Sequence, residues 1–142
     1  MAKNTRLTNA LVSAQADIIG RQLDGGFIRI YAGTQPDGAD AALLGDNVML
    51  AELRFSNPSA PGAVEGLLTF NAITSDTYAD NSGTATWFRT LQSDGTTAVL
   101  DGSVGTTGTD SNLEMPTNQI VKDATISITS FTHNVAKTTT GV

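Results

Sequence analysis

The first apolar pattern along the chain has the spacing of an amphipathic helix. Its members recur every three or four residues and are Leu7, Leu11, Ala14 and Ile18. Because polar residues occupy the positions between them, the pattern predicts one helix over residues 6–23. The pair Gly25-Gly26 follows and favours the left-handed backbone that ends helices. The apolar stripe has two interpretations: it closes one open end of a β domain, or it projects as an arm onto a neighbouring subunit.

After the glycine pair the pattern changes to the two-residue period of a β-strand. In the first such segment, residues 27–33, Ile28 and Ile30 alternate with Arg29 and Tyr31. The other segments with strand character are 47–55, 66–74, 83–91 and 124–133, and a short extended piece lies around 118–121.

Asp94-Gly95 is the strongest turn signal in the chain, because it stands between two strand-like segments. It predicts that residues 85–91 and 97–105 pair as a hairpin. A type I′ turn needs positive φ at both central residues, and the Asp-Gly pair suits that geometry.

Several short strands separated by Asn-Pro, Pro-Gly and Asp-Gly turns are typical of a β-sandwich or jelly roll. We therefore predict a mainly β protein, a single antiparallel β-sandwich or jelly-roll-like domain with one N-terminal amphipathic helix or arm. The predicted parts are an N-terminal helix or arm at 1–26, the β-sandwich domain at 27–134 and a flexible C-terminal tail at 135–142. The long connections, where binding residues often lie, are 33–46, 56–65, 74–83 and 105–117.

Composition excludes several classes of function. The 142-residue chain has a formal net charge of −6 and only eight Lys and Arg residues, whereas nucleic-acid binding needs clustered cations. Cysteine is absent, which excludes disulfides, thiolate metal sites and cysteine nucleophiles. No stretch approaches the roughly 20 apolar residues of a membrane span, and the first residues lack the pattern of a signal peptide. We expect no nucleic-acid partner, no membrane partner and synthesis in the cytoplasm.

Two oxygen-rich stretches could in principle bind a cation. The first contains Asp110, Asn112 and Glu114. It lacks the glycine-centred loop of an EF-hand, so a solvated strand face is the simpler interpretation. The second contains Asp76, Asp80 and Asn81. An Asx-turn loop is the simpler interpretation there, and we expect no bound metal and no cofactor.

Catalytic chemistry has little support in the sequence. His133 is the single histidine, and no G-x-S-x-G motif accompanies it. The glycines of "DGSVGTTGTD" are too widely spaced for a phosphate-binding loop, and no lysine follows them. We therefore expect that the protein is not an enzyme.

Aromatic residues leave one binding function open. Trp87 is interpreted first as a core residue, because a tryptophan in a small sandwich buries a large apolar area. The alternative is a carbohydrate-binding module in which Trp87, Tyr31 or Tyr78 forms the sugar platform.

The order of several motifs resembles a widespread family of small structural proteins of tailed-bacteriophage virions. The motifs are "GTQP", "ITSD", "ADNSGTATWFR" and "DGSVGTTGTDSNL", and the resemblance covers roughly residues 5–134. It implies a head decoration or cement protein that stabilises the capsid lattice, found on the virion after synthesis in the host bacterium. It also implies as partners the major capsid protein and neighbouring copies of the chain, in a homo-oligomer such as a trimer. A tail, neck or fibre-attachment component is the alternative virion role.

A protein of this kind binds through surface area and needs no reactive group. The predicted contacts therefore lie on the N-terminal helix and on the loops 33–46 and 74–83. The residues that we expect to contact a partner are Leu7, Leu11, Ile18, Gln35, Pro36 and Tyr78.

Overall fold

The structure, a computed structural model, describes residues 4–140. Residues 1–3 of the predicted arm and 141–142 of the predicted tail lie outside this range. The elements of the described chain are, in order, β1 (Asn4–Arg6), α1 (Asn9–Gln22), β2 (Phe27–Ala32), β3 (Val48–Arg54), β4 (Leu67–Thr69), β5 (Gly83–Thr84), β6 (Trp87–Leu91), β7 (Ala98–Thr106), β8 (Leu113–Met115), β9 (Gln119–Ile120), β10 (Ser130–Asn134) and β11 (Thr138–Thr140).

One large sheet dominates the fold and confirms the mainly β prediction with one N-terminal helix. Its seven strands lie in the order β3-β2-β6-β7-β8-β10-β4. Arg54, at the end of β3, and Thr74, beyond β4, exchange two backbone hydrogen bonds of 3.3 and 2.9 Å. Because β3 and β4 are the outermost strands, these bonds join the two edges and fold the sheet over on itself. The result is a sandwich-like domain with one enclosed core.

Four phenylalanines fill the centre of that core. Phe131 stacks on Phe70 with ring centroids 4.7 Å apart and meets Phe88 edge to face at 5.1 Å. Phe55 lies against both Phe70 and Phe131. Aromatic pairs at these distances add to the stabilisation that burial alone provides.

The large sheet is antiparallel, as predicted, except for one pair of strands. β7 and β8 run parallel, although only residues 107–112 connect them, and a parallel connection usually needs a dozen or more residues. The short connection folds back closely over β7 at Gly105, which has no side chain. A Cβ added to Gly105 would overlap the hydroxyl oxygens of Ser111 and Thr109.

The predicted hairpin is present, but its turn differs from the predicted type. β6 pairs antiparallel with β7 through the turn at residues 92–97. Gly95 has a φ of +70°, whereas Asp94 is not among the residues with positive φ. The Asp94 carboxylate instead accepts hydrogen bonds from the amides of Thr96 and Thr97, both at 2.9 Å. The aspartate therefore holds the turn by its side chain.

Three predicted strands are shorter than their apolar patterns. The segment 66–74 keeps regular pairing only in β4. The segment 83–91 divides into β5 and β6, because Ala85 donates to Asn118 while Thr86 donates to Tyr31. In 124–133 only β10 is a strand, and Ile126 makes an isolated bridge to Asp76. In the last two segments the chain changes partner midway, and this change interrupts the strand.

The helix begins later than predicted and packs with a different face. Thr8 caps it through its side chain, which accepts the Leu11 amide at 3.1 Å. The residues that it buries are Val12, Ala16 and Gly20, followed by Leu23 at the C-cap. A Cβ on Gly20 would lie 3.4 Å from the Leu68 side chain in β4, so small residues let the helix approach that strand closely.

The two ends of the described chain pair with each other. β1 and β11 form a two-stranded antiparallel ribbon with Asn4 opposite Thr140 and Arg6 opposite Thr138. The predicted tail, residues 135–142, thus contains one short strand, β11. Beside the ribbon, Leu7 donates its amide to the Lys137 carbonyl at 2.8 Å, which connects it to the start of α1.

Candidate interaction surfaces

The outward face of α1 carries most of the apolar stripe that the sequence placed either against the β domain or against a neighbouring subunit. Leu11 and Ile18 are 45% and 48% exposed, and Ala14 between them is exposed. Leu7 precedes the helix and is half-buried. Because α1 packs on its own β domain through Val12, Ala16 and Gly20, the helix does not project as an arm. Its outward face nevertheless remains available to a partner.

The loop 33–46 lies over the second face of the large sheet. Tyr31 and Trp87 stand opposite each other on β2 and β6 and stack with ring centroids 4.6 Å apart and an interplanar angle of 15°. The Arg89 guanidinium lies over the Trp87 ring and also donates to the Gly38 carbonyl of the loop at 3.4 Å. Pro36 is buried, whereas Gln35 is exposed. Gln35 can therefore contact a partner directly, and Pro36 cannot.

A row of four charged residues crosses this face from β3 to β7. The cross-strand partners in order are Glu52, Arg29, Arg89 and Asp101. The two arginines are neighbours, and each forms an ion pair with the acid on its outer side. The hydrogen bond that the Arg89 guanidinium donates to Asp101 raises the pKa of Arg89 above its ordinary value. The acids thus offset the repulsion that two adjacent cations would cause.

The outer part of the same loop and the first residue of β3 expose apolar side chains that the sequence analysis missed. Leu43, Leu44 and Val48 are each between 43% and 47% exposed. The Asn47 side chain accepts the Leu44 amide at 2.7 Å and donates to the Thr34 carbonyl at 2.8 Å. These bonds fix the turn that presents the leucines. The available sequence signal was two adjacent leucines within a polar loop.

Tyr78 projects from the loop 74–83 and is 71% exposed. The loop is shaped by the predicted Asx-turn, in which Asp76 accepts the Tyr78 amide at 2.9 Å. The second oxygen of the same carboxylate accepts the Glu52 amide at 2.9 Å. Ala79 bonds to Ala124 in the following chain segment. The loop therefore holds Tyr78 outward on a fixed base.

In the other oxygen-rich stretch, which contains Asp110, Asn112 and Glu114, side-chain oxygens accept hydrogen bonds from nearby residues of the chain. Asn112 accepts from the Ser103 amide and hydroxyl at 3.3 and 3.2 Å. Glu114 accepts from the Asp110 amide at 3.0 Å. These side chains fasten the 107–112 connection to the strands. Across residues 4–140, no group of three or more acidic, histidine or cysteine residues could hold a metal ion.

His133 lies half-buried in β10, opposite Leu68 of β4. Burial lowers the pKa of its imidazole below the ordinary value. Its side chain makes no hydrogen bond to any described residue, and the Ser103 hydroxyl donates to Asn112 and not to His133.

Burial removes two of the three residues suggested as a sugar platform. Trp87 is 0% exposed and Tyr31 is 4% exposed. A sugar stacks on an open aromatic face, so neither ring can serve, and the first interpretation of Trp87 as a core residue is the correct one. Tyr78 is the one residue of the three with an open ring.

No protein-family model, curated protein or solved structure matches the chain. Within residues 4–140, no helix is both long and apolar enough to cross a membrane.

Proposed function

We propose that the chain is a structural protein of a tailed-bacteriophage particle that binds the head lattice as a decoration or cement protein. The order of the motifs around "GTQP" and "DGSVGTTGTDSNL" is the sequence support. The structural observation that carries the proposal is the outward face of α1. Leu11 and Ile18 are exposed on a helix whose opposite face is already buried in its own domain.

An exposed apolar stripe on an ordered helix suits a protein that binds its partner through a contact surface and not through a reactive group. The helix is capped at both ends, by the Thr8 side chain and by the Leu23 amide, and its buried residues Val12, Ala16 and Gly20 hold it on the β domain. A partner therefore meets a surface that is already ordered and spends little conformational entropy on binding. Many copies arranged on a symmetric lattice would add their individual contacts through multivalency.

The number of copies per purified particle tests the proposal most directly. Quantitative mass spectrometry would measure this chain against the major capsid protein. A ratio near one supports a head-lattice role. A few copies per particle would move the chain to the neck, the tail or a fibre attachment, which is the alternative virion role. Absence from the particle would overturn both.

A variant pair then tests the surface. Leu11→Ser with Ile18→Ser removes the stripe while leaving the buried face of α1 intact, so particle occupancy should fall and the unfolding temperature should change little. Leu43→Ser with Leu44→Ser makes the same change in the loop 33–46 and shows which surface makes the contact. Deleting residues 1–23 is a poorer test, because it also removes Val12 and Ala16 from the core.

A further inference from the structure

A cavity of about 240 Å³ lies between α1 and residues 57–63, a segment that we call the 57–63 loop. The helix contributes one face to it, and the loop contributes the opposite wall. The residues that line it are Asp17, Gly20, Arg21, Asp24, Pro58, Ala60, Pro61, Gly62 and Leu68. None of the residues that line it belongs to the candidate surfaces described above.

Hydrogen bonds between helix and loop hold the cavity in shape. Asp17 Oδ1 accepts the Ala63 amide at 2.8 Å, and Asp24 Oδ1 accepts the Ser59 amide at 2.7 Å. Ser59 is fully buried, and its hydroxyl donates to the Gly20 carbonyl at 2.6 Å. The two aspartates are seven residues apart and fasten the loop at both ends. The space between these attachments is therefore preformed.

The lining has an apolar part and a charged part. Leu68, Pro58 and Pro61 supply hydrocarbon surface. Among the described residues, the Oδ2 atoms of Asp17 and Asp24 accept no hydrogen bond, so each carboxylate keeps an oxygen for a ligand. The Arg21 side chain, on an exposed residue, adds one positive charge and forms no ion pair within residues 4–140. Two acids against one arginine leave the lining net negative.

We propose that this cavity receives a lysine or arginine side chain from a partner protein. The aliphatic stem of such a side chain would lie on the prolines and Leu68, as long cationic side chains do on apolar surfaces. Its charged head would bind the open oxygen of one of the two carboxylates, Asp17 or Asp24, in a charge-assisted hydrogen bond. The inference does not depend on which protein carries the side chain, so it stands or fails separately from the virion proposal.

Four small probes test the chemistry on the unmodified protein. Nα-acetyl-lysine amide, Nα-acetyl-arginine amide, the neutral norleucine analogue and the acidic glutamate analogue are titrated at low salt. Binding is followed by the backbone amide NMR signals of Gly20, Ala60, Gly62 and Ala63. We expect saturable shifts with the two cationic probes, weakened by added salt because salt screens exposed charges. Equal shifts with norleucine, or shifts only with glutamate, would overturn the proposal.

Variants then test whether the Asp17 and Asp24 carboxylates bind the cationic probes. Asp17→Asn with Asp24→Asn keeps an Oδ1 acceptor for each loop amide but removes both charges, and should weaken cation binding by about tenfold. The control Asp37→Asn with Asp123→Asn makes the same change in net charge at exposed positions elsewhere and should leave binding unchanged. Arg21→Gln should strengthen cation binding severalfold. A loss of binding on Arg21→Gln would show that the cavity prefers an anion, which contradicts the proposal.

Discussion

Arg89 and Asp101 face each other across the β6–β7 ladder and form a two-point ion pair. The distances are 2.8 Å from Nε to Oδ1 and 3.0 Å from Nη2 to Oδ2. The two side chains are 10% and 4% exposed. This pair also holds the 33–46 loop, because the same guanidinium donates to Gly38. The charged row is thus a structural feature that supports one of the candidate surfaces.

Removing one partner of this pair should be costly. Asp101→Ala leaves a buried guanidinium without its counter-charge and should lower the free energy of unfolding by about 3 kcal/mol. Urea unfolding measures this. The comparison is Glu52→Ala, which breaks the Arg29–Glu52 pair, whose side chains are 30% and 35% exposed. That loss should stay below about 1 kcal/mol, and equal losses in the two variants would refute the distinction.

Gly105 should tolerate no side chain. Gly105→Ala places a Cβ where the Ser111 and Thr109 hydroxyls lie, and such overpacking costs about 1–3 kcal/mol. Gly38→Ala is the matched control, because a Cβ there meets no atom within 4 Å. Thermal unfolding of both variants checks the expectation. If Gly105→Ala is as stable as Gly38→Ala, the 107–112 connection does not pack on β7 as described.

The fluorescence of Trp87, the single tryptophan, tests whether this residue is buried. Trp87 is fully buried and stacked on Tyr31, so its fluorescence should be blue-shifted and poorly quenched by acrylamide. Trp87→Ala should cost about 3–5 kcal/mol of stability. Among the described residues the indole Nε1 has no hydrogen-bond partner, so Trp87→Phe sacrifices no hydrogen bond and should cost clearly less. Free quenching by acrylamide would contradict the buried position.

The Asp94 turn should contribute to pH dependence. The hydrogen bond from the Thr97 hydroxyl, together with the Thr97 and Thr96 amides, lowers the pKa of Asp94 to about 2. The ionised form is therefore favoured in the folded chain. Its stabilising contribution is present above the ordinary carboxyl pKa and is lost as the pH falls through about 2.

NMR titration of the Asp94 carboxyl carbon measures this pKa. Thr97→Val removes the hydroxyl hydrogen bond and should move the pKa upward, toward its ordinary value. An unchanged pKa in that variant would show that the amides alone lower it.

The strand alternation in the sequence predicted the buried faces of β2 and β3 where the two strands pair regularly, at Ile28 opposite Leu53 and Ile30 opposite Ala51. Beyond that point the register shifts, and Leu50 and Ala51 are both buried, which alternation does not predict. The helix face could not be predicted in this way. Hydropathy favours the largest apolar residues, Leu11 and Ile18, as the buried ones, whereas close approach to β4 selects the small residues Ala16 and Gly20. Nor does local sequence encode the parallel pairing of β8, which depends on contacts made elsewhere in the fold.

Some features of the candidate surfaces could be predicted from the sequence, and others could not. The exposure of Tyr78 follows from its polar loop and the Asx-turn at Asp76, both visible in the sequence. Pro36 was expected at the surface because it lies in a turn motif, but the loop folds back over the sheet and buries it. The burial of Trp87 was predicted from its size, whereas Tyr31 stands on the polar side of the alternation in β2, and no local pattern indicates its burial.

The ribbon of β1 and β11 determines how the molecule would respond to mechanical load. Asn4 lies opposite Thr140 on antiparallel strands, so a force that separates these two residues would unzip the ribbon one pair at a time and would not shear all pairs together. The next connections in its path are the Leu7–Lys137 backbone bond and the 2.6 Å bond from Lys137 to Asn9. The ribbon would therefore open stepwise at low force, before the load is transmitted to the helix.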